Sequence, residues 1–406
     1  MAKRIAFLSR LMPYEMFSKS LGIDYLSRNE FEVTFLDLSY LIDYKIAKNL
    51  YKGKSKLTGC QIIVIHTHGE LDNFVKKNSI NTIFIDFVAG LSEYDLTIGR
   101  IFRILKKYNA KYYVVSNADI PNGHRELHEL FSIAWIWLNI KKGLTSPRKI
   151  FELLTRKIIV QLIKLEILYP KPHRIFGIKR SPSLVSYIEK YRITDSTFIP
   201  INSRDYDTYL EYTRVSGPSI ESENICVFLD EDHTNHPDFF LFGIPPLDAD
   251  KYISSMNLFF DHIECITGLS VVIAAHPKSN FSQETHPFGD RLFIKGNTVD
   301  LIAKSKIAIA THSTSISFPV LFSKPIILVV TAEIKSRVGM IATVKAFARE
   351  LDLIYINVDS SNEVDALKIK LDYQPKYKNF LYTYIKNEEP INELTWEIVA
   401  KTILQE

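Results

Sequence analysis

The sequence predicts an α/β protein built from two Rossmann-like domains, and three observations support this fold class. Continuous apolar runs such as Gln61–His66 recur along the chain and are typical of parallel strands covered on both faces. Helical patterns separate these runs, as βαβ units require. The 406 residues exceed the usual size of one domain, which is about 150 residues. Two consecutive series of alternating strands and helices join near residues 205–222, where we expect the domain boundary.

The first domain is expected over residues 1–215 and begins directly with a strand. Helical segments such as Thr97–Tyr108 separate its strands, so the pattern indicates a parallel sheet with helices on both faces. The predicted strands are Arg4–Ser9, Phe31–Leu36, Gln61–His66, Thr82–Phe87, Tyr112–Ser116, Arg174–Gly177 and Ser196–Pro200.

The second domain is expected over residues 216–390 and repeats the alternation. Its longest predicted helix, Ala249–Thr267, carries large apolar side chains on one face. A closing helix, Glu393–Leu404, falls in the segment 391–406, which we expect to return to the first domain. The predicted strands are Ile225–Leu229, Leu269–Ala274, Leu292–Ile294, Ile307–Ala310, Pro325–Val330 and Leu353–Asn357.

A helical insertion is expected at about residues 126–170 of the first domain, because this segment is unusually apolar. It includes Trp135 and Trp137, and residues 141–180 hold eleven Lys or Arg against two Glu, a net charge of +9. A basic amphipathic helix beside tryptophans favours contact with an anionic membrane surface, here through residues 131–168. A helix buried on the domain core with a solvated basic face explains the pattern equally well.

The overall composition excludes several classes of protein. The net charge of +4 is small because two oppositely charged segments nearly cancel. The basic residues 141–180 are offset by residues 221–250, which hold eight acidic residues and no Lys or Arg. Three scattered cysteines form neither a disulfide framework nor a zinc motif, which fits a reducing compartment. No apolar run of about 18 residues predicts a transmembrane helix, and Arg10 interrupts the short apolar start that a signal peptide would need. We expect no nucleic-acid partner, since no binding module is recognisable, and no dehydrogenase activity, since no G-x-G-x-x-G motif follows a strand.

An acidic motif follows the first predicted strand of the second domain, at the sheet edge where open α/β proteins bind ligands. Asp230, Glu231 and Asp232 stand in succession there, and His233 follows them. Crowded carboxylates repel one another, which raises at least one pKa and suits acid–base or nucleophilic chemistry. A solvated acidic loop or a helix cap would have the same sequence.

Two further polar motifs follow later strands of the same domain. After the second strand, His276, Pro277 and Lys278 form a turn in which the proline keeps the histidine out of a helix; an ordinary surface turn is the alternative. After the fourth strand comes a hydroxyl-rich group at the start of a short predicted helix, where hydroxyls and free N–H groups bind phosphate or simply cap the helix. This group is Thr311, His312, Ser313, Thr314 and Ser315.

The order of an acidic motif, then His-Pro, then a Ser/Thr motif resembles the signature of bacterial glycosyltransferases of the GT-B fold that use CMP-activated ulosonic acids. These are sialyltransferases and the Kdo transferases of lipopolysaccharide and capsule assembly. The matching residues are Asp230-Glu231-Asp232, His276-Pro277 and Ser313-Thr314-Ser315, spread over about 100 residues. In several sialyltransferase families the acidic pair precedes a glycine in the N-terminal domain. Here His233 follows and the motif opens the C-terminal domain, which looks more like a Kdo transferase.

The resemblance implies two facing Rossmann-like domains and a metal-independent glycosyltransferase whose donor is a CMP-sugar, with no other cofactor. Asp230 or Asp232 would deprotonate the acceptor hydroxyl, giving inversion, or act as a nucleophile, giving retention. His276 would contact the CMP phosphate and stabilise it as it leaves. The implied catalytic residues are Asp230, Glu231, Asp232 and His276, and the implied donor-binding residues are His276, Pro277, Lys278, Thr311, His312, Ser313, Thr314 and Ser315.

The implied partners are a nucleotide-sugar donor and a lipid-linked or oligosaccharide acceptor of the bacterial surface. The expected location is the bacterial cytoplasm, at the inner face of the cytoplasmic membrane. In the first domain, His66–Glu70, Asp86 and Glu93 are candidate acceptor contacts, although a satisfied polar loop is the simpler interpretation of His66–Glu70. A UDP-sugar or CDP-polyol donor, and a non-catalytic glycan-assembly scaffold, remain as alternatives.

Overall fold

The protein is described by a computed structural model, in which the chain divides into two compact units. Residues 126–169 of the insertion predicted at about 126–170, the proposed membrane contact at 131–168 and Glu93 lie outside the described residues. The first unit comprises Met1–Asp119, Thr145–Asp207 and Lys386–Glu406, and the second comprises Ile120–Leu144 and Thr208–Ile385. The described residues are 3–10, 16–44, 57–88, 96–121, 123, 170–191, 194, 197–217, 221–236, 239, 245–365 and 377–406.

The described part of the first unit contains a seven-stranded parallel sheet in the order β3-β2-β1-β4-β5-β6-β7. The crossover from β3 to β4 places later strands on the other side of β1, which is the doubly wound pattern. The strands are β1 (Arg4–Ser9), β2 (Glu32–Asp37), β3 (Gln61–Val64), β4 (Thr82–Phe87), β5 (Tyr112–Ser116), β6 (Arg174–Gly177) and β7 (Phe198–Pro200). The helices are Met16–Ser20, Ile23–Arg28, Ser39–Ile42, His68–Asn78, Leu96–Lys107, Pro182–Tyr191, Arg204–Ser216, which continues into the second unit, and Thr395–Gln405.

Both faces of this sheet are buried, which explains why its strands are apolar without interruption. Ala6 and Leu8 pack into one core, whereas Ile5 and Phe7 pack into the core on the opposite face. Trp396, on the last helix of the chain, belongs to that second core and lies 5.8 Å from the Phe7 ring. The last helix is therefore an integral layer of the first unit.

A close approach between Gly22 and Trp396 explains a glycine at this position. Gly22 has a φ of +64°, and a Cβ there would lie 2.1 Å from the Trp396 ring. Any L side chain at residue 22 would combine an unfavourable backbone conformation with a clash. This contact fixes the last helix against the helix Ile23–Arg28.

The described part of the second unit contains a six-stranded parallel sheet in the order β10-β9-β8-β11-β12-β13. The strands are β8 (Ile225–Leu229), β9 (Ser270–Ala275), β10 (Leu292–Lys295), β11 (Ile307–Ala310), β12 (Ile326–Val330) and β13 (Tyr355–Asn357). The helical segments are Ala249–Thr267, Thr298–Lys304, the 3₁₀ turn Thr314–Ile316, Ser317–Leu321, Ala332–Ser336, Val338–Leu351, Ser361–Asp365, Lys378–Phe380 and the π-helical turn Leu381–Ile385.

The helix Ala249–Thr267 covers one face of this second sheet. Asp248 caps its start by accepting the N–H of Lys251, and Gly268, with a φ of +67°, ends it. Its buried Phe260 packs against Phe228 of β8, and Phe259 lies in the same core beside Phe260. The strand β8 is central, so its carboxyl end lies between those of β9 and β11.

The fold class predicted from the sequence, α/β with two Rossmann-like domains, is confirmed. The predicted strands and the structural strands differ by at most two residues at either end, and the two-residue differences are at β3, β7 and β13. Among the helices of the described ranges, none combines the length and apolarity needed to cross a bilayer.

Candidate functional site

A tight turn after β8 arranges the acidic motif. Asp230 Oδ1 accepts the backbone N–H of Asp232 at 3.0 Å, and Asp232 takes the left-handed conformation with a φ of +50°. The carbonyl of Asp232 then accepts the N–H of His236 at 2.8 Å. Both aspartates are buried, at 6% and 3% exposure. The local polar side chains, rather than an apolar core, thus determine the path of this turn.

The two aspartates differ in their surroundings. Burial raises the pKa of Asp230 to about 6; the N–H of Asp232 opposes this rise, and the charges of Asp232 and Glu231 add to it. Burial also raises the pKa of Asp232, although a hydrogen bond from Ser279 and the charge of His236 oppose it. Asp232 Oδ2 is buried and has no hydrogen-bond partner among the described residues. This oxygen can therefore accept a proton or a hydrogen bond from a ligand.

Glu231 has a different kind of environment, because its carboxylate is surrounded by donors from the loop after β11. Glu231 Oε2 accepts the Thr311 hydroxyl and the N–H of His312 at 3.3 Å. It also lies 3.2 Å from His233 Nε2 and 3.4 Å from His312 Nδ1. Burial would raise the pKa of Glu231, but the two histidines and these hydrogen bonds outweigh it and lower that pKa well below its usual range. Glu231 is therefore a fixed anion rather than a proton acceptor.

The same residues include atoms of the kind that bind transition metals. Glu231, His233 and His312 each offer one such atom, and the three atoms lie within 4.8 Å of one another. Two imidazoles and a carboxylate are suitable ligands for zinc. Both Glu231 and His233 are, however, hydrogen-bonded to the Thr311 hydroxyl. His233 Nε2 lies 3.1 Å from Thr311 Oγ1, and Glu231 Oε2 accepts the hydroxyl proton. Hydrogen bonding to Thr311 thus accounts for the arrangement of these two side chains.

The His-Pro motif forms the turn after β9. His276 Nδ1 accepts the N–H of Lys278 at 3.2 Å, and the His276 carbonyl accepts the N–H of Ser279 at 2.9 Å. Since Nδ1 is an acceptor, the proton of the neutral ring is assigned to Nε2. The other ring nitrogen of the neutral imidazole is therefore an N–H donor. Pro277 is exposed, and Lys278 is half-buried.

The Ser/Thr motif after β11 is partly structural. Ser313 Oγ accepts the N–H of Ser315 at 3.3 Å and so caps the 3₁₀ turn Thr314–Ile316. Thr311 is fully buried in the network of Glu231. Thr314 is exposed and Ser315 half-buried. Of these hydroxyls, Thr314 and Ser315 are the ones left available to a ligand.

The three motifs converge, because β8 lies between β9 and β11 and all three strands end at the same edge. Asp232 is joined to the His-Pro turn through Ser279. Glu231 is joined to the Ser/Thr loop through Thr311 and His312. The candidate site of the second unit is therefore one connected group of side chains.

Three residues of this group were missing from the site predicted by the sequence: His233, His236 and Ser279. The His236 ring contacts the His276 ring, with centroids 4.5 Å apart and planes at 69°. The four-residue spacing of Asp232 and His236 was visible in the sequence. Only the tertiary contact with β9's loop distinguishes His236 from any other loop histidine.

The acceptor candidates of the first unit have structural roles. Thr67 Oγ1 accepts the N–H of Glu70 at 3.2 Å, and Glu70 Oε2 accepts the N–H of His66 at 3.0 Å. These two hydrogen bonds cap the start of the helix His68–Asn78. Asp86 is buried, and its Oδ1 accepts a backbone N–H from two residues further along.

Comparisons with known proteins concern the fold. The sequence matches no protein-family profile and no curated protein. Among solved structures, the UDP-GlcNAc 2-epimerase from Methanocaldococcus jannaschii is similar with a TM-score of 0.50 and 10% identity over 99% of both chains. Phytolacca americana UGT2 has a TM-score of 0.46 and 12% identity over 100% of both chains. The calicheamicin glycosyltransferase CalG4 has a TM-score of 0.46 and 10% identity over 93% of this chain and 92% of its own.

At this identity the likeness to the epimerase is one of fold alone. It agrees with the α/β fold of two Rossmann-like domains that the alternation of strands and helices predicted.

Proposed function

We propose that the protein is a GT-B glycosyltransferase that transfers a ulosonic acid, Kdo or a sialic-acid-like sugar, from a CMP-activated donor to a bacterial surface glycan. The observation that carries this proposal is the convergence of the acidic, His-Pro and Ser/Thr loops at one edge of the second sheet. A glycosyl transfer of this kind needs a carboxylate for the acceptor and hydrogen-bond donors for the departing phosphate. Both are present in that group of side chains.

Asp232 is the proposed base or nucleophile. Its Oδ2 has no hydrogen-bond partner among the described residues, so no donor in that part of the chain competes with an acceptor hydroxyl or a sugar carbon for this oxygen. As a base it removes the hydroxyl proton while the new glycosidic bond forms and the bond from sugar to CMP breaks. As a nucleophile it forms a glycosyl-enzyme ester while the bond from sugar to CMP breaks; the acceptor oxygen then displaces the aspartate from the sugar, and the released carboxylate takes up the hydroxyl proton.

The departing CMP phosphate is proposed to accept hydrogen bonds from His276, Thr314 and Ser315. Lys278 adds positive charge, and Pro277 holds the turn. His312 and Ser313 shape the Ser/Thr loop, together with Thr311. Glu231 is proposed as a positioning residue, because its carboxylate is already held by Thr311 and His312. Asp230 is proposed to hold the acidic turn through Asp232.

A transfer assay with a CMP-ulosonic acid donor and a lipid-linked glycan acceptor tests this proposal. Asp232→Asn should lower kcat by about 100-fold or more while leaving the donor KM within a few-fold. Asp290→Asn, at an exposed aspartate of the same unit, is the matched control and should leave both constants unchanged. Full activity of Asp232→Asn would exclude the proposed role. A covalent sugar adduct on Asp232, found by mass spectrometry, would distinguish the nucleophile from the base.

A UDP-sugar donor is the second candidate. The observation in its favour is the fold likeness to an enzyme whose name specifies UDP-GlcNAc. Thermal-shift titration separates the two candidates. A rise in Tm with UDP and not with CMP would identify a UDP-sugar as the donor. A rise in Tm with CDP-glycerol would indicate a CDP-polyol donor.

The first unit is proposed to bind the acceptor, and the segment 131–168 to contact the membrane that carries it. Removal of the basic charges in this segment should reduce sedimentation with anionic vesicles. Unchanged sedimentation would contradict the membrane contact.

A further inference from the structure

A lysine that belongs to none of the three motifs lies against the His-Pro turn. Lys295 is the last residue of β10, and the parallel pairing of β10 with β9 places it beside Ala275, directly before that turn. Its Nζ donates to the carbonyl of Ser279 at 2.7 Å. Ser279 closes the turn, because its N–H donates to the carbonyl of His276 at 2.9 Å. The ammonium group of Lys295 is therefore held at the His-Pro turn.

This ammonium group has both charge and donors to offer a ligand. It carries three N–H donors, of which the carbonyl of Ser279 takes one. A carbonyl is neutral, so this bond orients the ammonium without cancelling its charge. Within the described ranges, no carboxylate forms an ion pair with Lys295. The side chain is exposed, so a ligand at the carboxyl edge of the sheet can reach it.

The acidic motif explains why a phosphate at this edge needs a cation. Asp230, Glu231 and Asp232 follow β8, and a negatively charged phosphate is repelled by carboxylates. In the sheet β9 lies between β8 and β10, so the end of β10 is two strand spacings, about 10 Å, from the end of β8. A phosphate beside Lys295 is thus kept away from the acids, while the sugar that it carries can extend towards them across the His-Pro turn.

We propose that Lys295 is a phosphate-binding residue of the nucleotide donor site, in which its ammonium group, oriented by the carbonyl of Ser279, supplies a positive charge and N–H donors to the phosphate. This inference rests on the proposed function, since its ligand is the donor phosphate. It adds to that function a cation from β10, a strand that none of the three motifs follows. In the sequence Lys295 is one lysine among many, and only the pairing of β10 with β9 places it at the His-Pro turn.

The test compares a nucleotide with its nucleoside, because the two differ only in the phosphate. Binding of CMP and cytidine, with UMP and uridine in parallel, is measured by calorimetry on the full chain, as the wild type and as Lys295→Met. We expect Lys295→Met to lose about tenfold in affinity for the nucleotide and nothing for the nucleoside. Lys295→Arg keeps the charge and should stay within about threefold of the wild type. Lys306→Met removes the same charge just before β11, at the opposite edge of this sheet, and should behave as the wild type.

The dependence of binding on salt is a second readout, which a purely structural role of Lys295 would not change. Salt screens exposed charges, so the affinity of the wild type for the nucleotide should fall as KCl rises from about 50 to about 300 mM. The affinity of Lys295→Met should fall less steeply over the same range, because one attractive charge has been removed. Nucleoside binding should be nearly independent of salt in both proteins.

The outcomes separate this inference from the function on which it rests. A wild type that prefers the nucleotide, with the same preference and salt dependence in Lys295→Met, overturns the role of Lys295 and leaves the proposed function intact. An equal loss of nucleotide and nucleoside in Lys295→Met shows that the lysine only holds the turn and also overturns that role. A wild type without preference for either nucleotide overturns both. Thermal unfolding without ligand identifies a misfolded variant, in which case Lys295→Gln, which keeps an N–H donor without the charge, replaces it under the same criteria.

Discussion

Glu231 accepts the backbone N–H of His312 at 3.3 Å, which joins the loop after β8 to the loop after β11. The same oxygen accepts the Thr311 hydroxyl. Two loops that are 80 residues apart in sequence are therefore held in one arrangement by a single carboxylate.

Glu231→Ala should destabilise the protein, because buried donors of the second loop lose their acceptor. We expect a loss of about 1 to 3 kcal/mol in the free energy of unfolding, measured by urea denaturation. Glu231→Gln keeps an amide oxygen and should retain more of this stability together with measurable activity. Glu223→Ala, which removes an exposed partner of Lys304, is the control and should change stability by less than about 0.5 kcal/mol. If Glu231→Gln were folded and as inactive as Asp232→Asn, Glu231 would be catalytic rather than positioning.

Asp230 should make stability depend on pH. Its pKa is raised from 3.8 to about 6, chiefly by burial, so the folded state holds a proton that the unfolded state has lost. Stability should therefore fall as pH rises from about 4 to about 6. Asp230→Asn should be more stable than the wild type at pH 7.5, by about 1 to 3 kcal/mol, and the difference should shrink towards pH 4. The control Asp290→Asn should show the same dependence of Tm on pH as the wild type. If Asp230→Asn also showed the wild-type dependence, Asp230 would not be the group responsible.

The group of Glu231, His233 and His312 allows a test of metal independence. The resemblance to CMP-ulosonic acid transferases implies transfer without a metal, so enzyme treated with EDTA should keep its nucleotide affinity and activity. Added Zn²⁺ should not raise the Tm, since Thr311 already hydrogen-bonds Glu231 and His233. A Zn²⁺-dependent rise in Tm that disappears in His312→Gln would contradict this prediction and identify a metal site.

The sequence predicted the fold class because hydrophobic periodicity is a local property. Strands buried on both faces, such as Ile225–Leu229, are apolar throughout and are bounded by polar residues. The ends of the strands are less well defined by the local sequence pattern. The predicted strand Leu353–Asn357, for example, begins at Tyr355 in the structure. Strand ends are set by pairing with neighbours, here with β12, and such pairing is not visible in a local pattern.

The candidate site could be predicted in part, because strand order brings the ends of β8, β9 and β11 together once a parallel sheet is assumed. What the sequence could not reveal was how the charges are divided. The three neighbouring acidic residues are chemically similar, but their surroundings differ. Asp230 shapes the turn, and Glu231 is held by the Ser/Thr loop. Asp232 has a carboxylate oxygen with no hydrogen-bond partner in the described part of the chain. That division depends on side-chain contacts between distant segments.

The measurement that tests the central claim most directly is the binding of CMP, UDP and CDP-glycerol to the full chain, compared between the wild type and His276→Gln. The account predicts that CMP binds most tightly and that His276→Gln weakens this binding by about tenfold or more. Binding of UDP alone would contradict the CMP-sugar donor. Binding of none of the three, or CMP binding that is unaffected by His276→Gln, would contradict the nucleotide site itself.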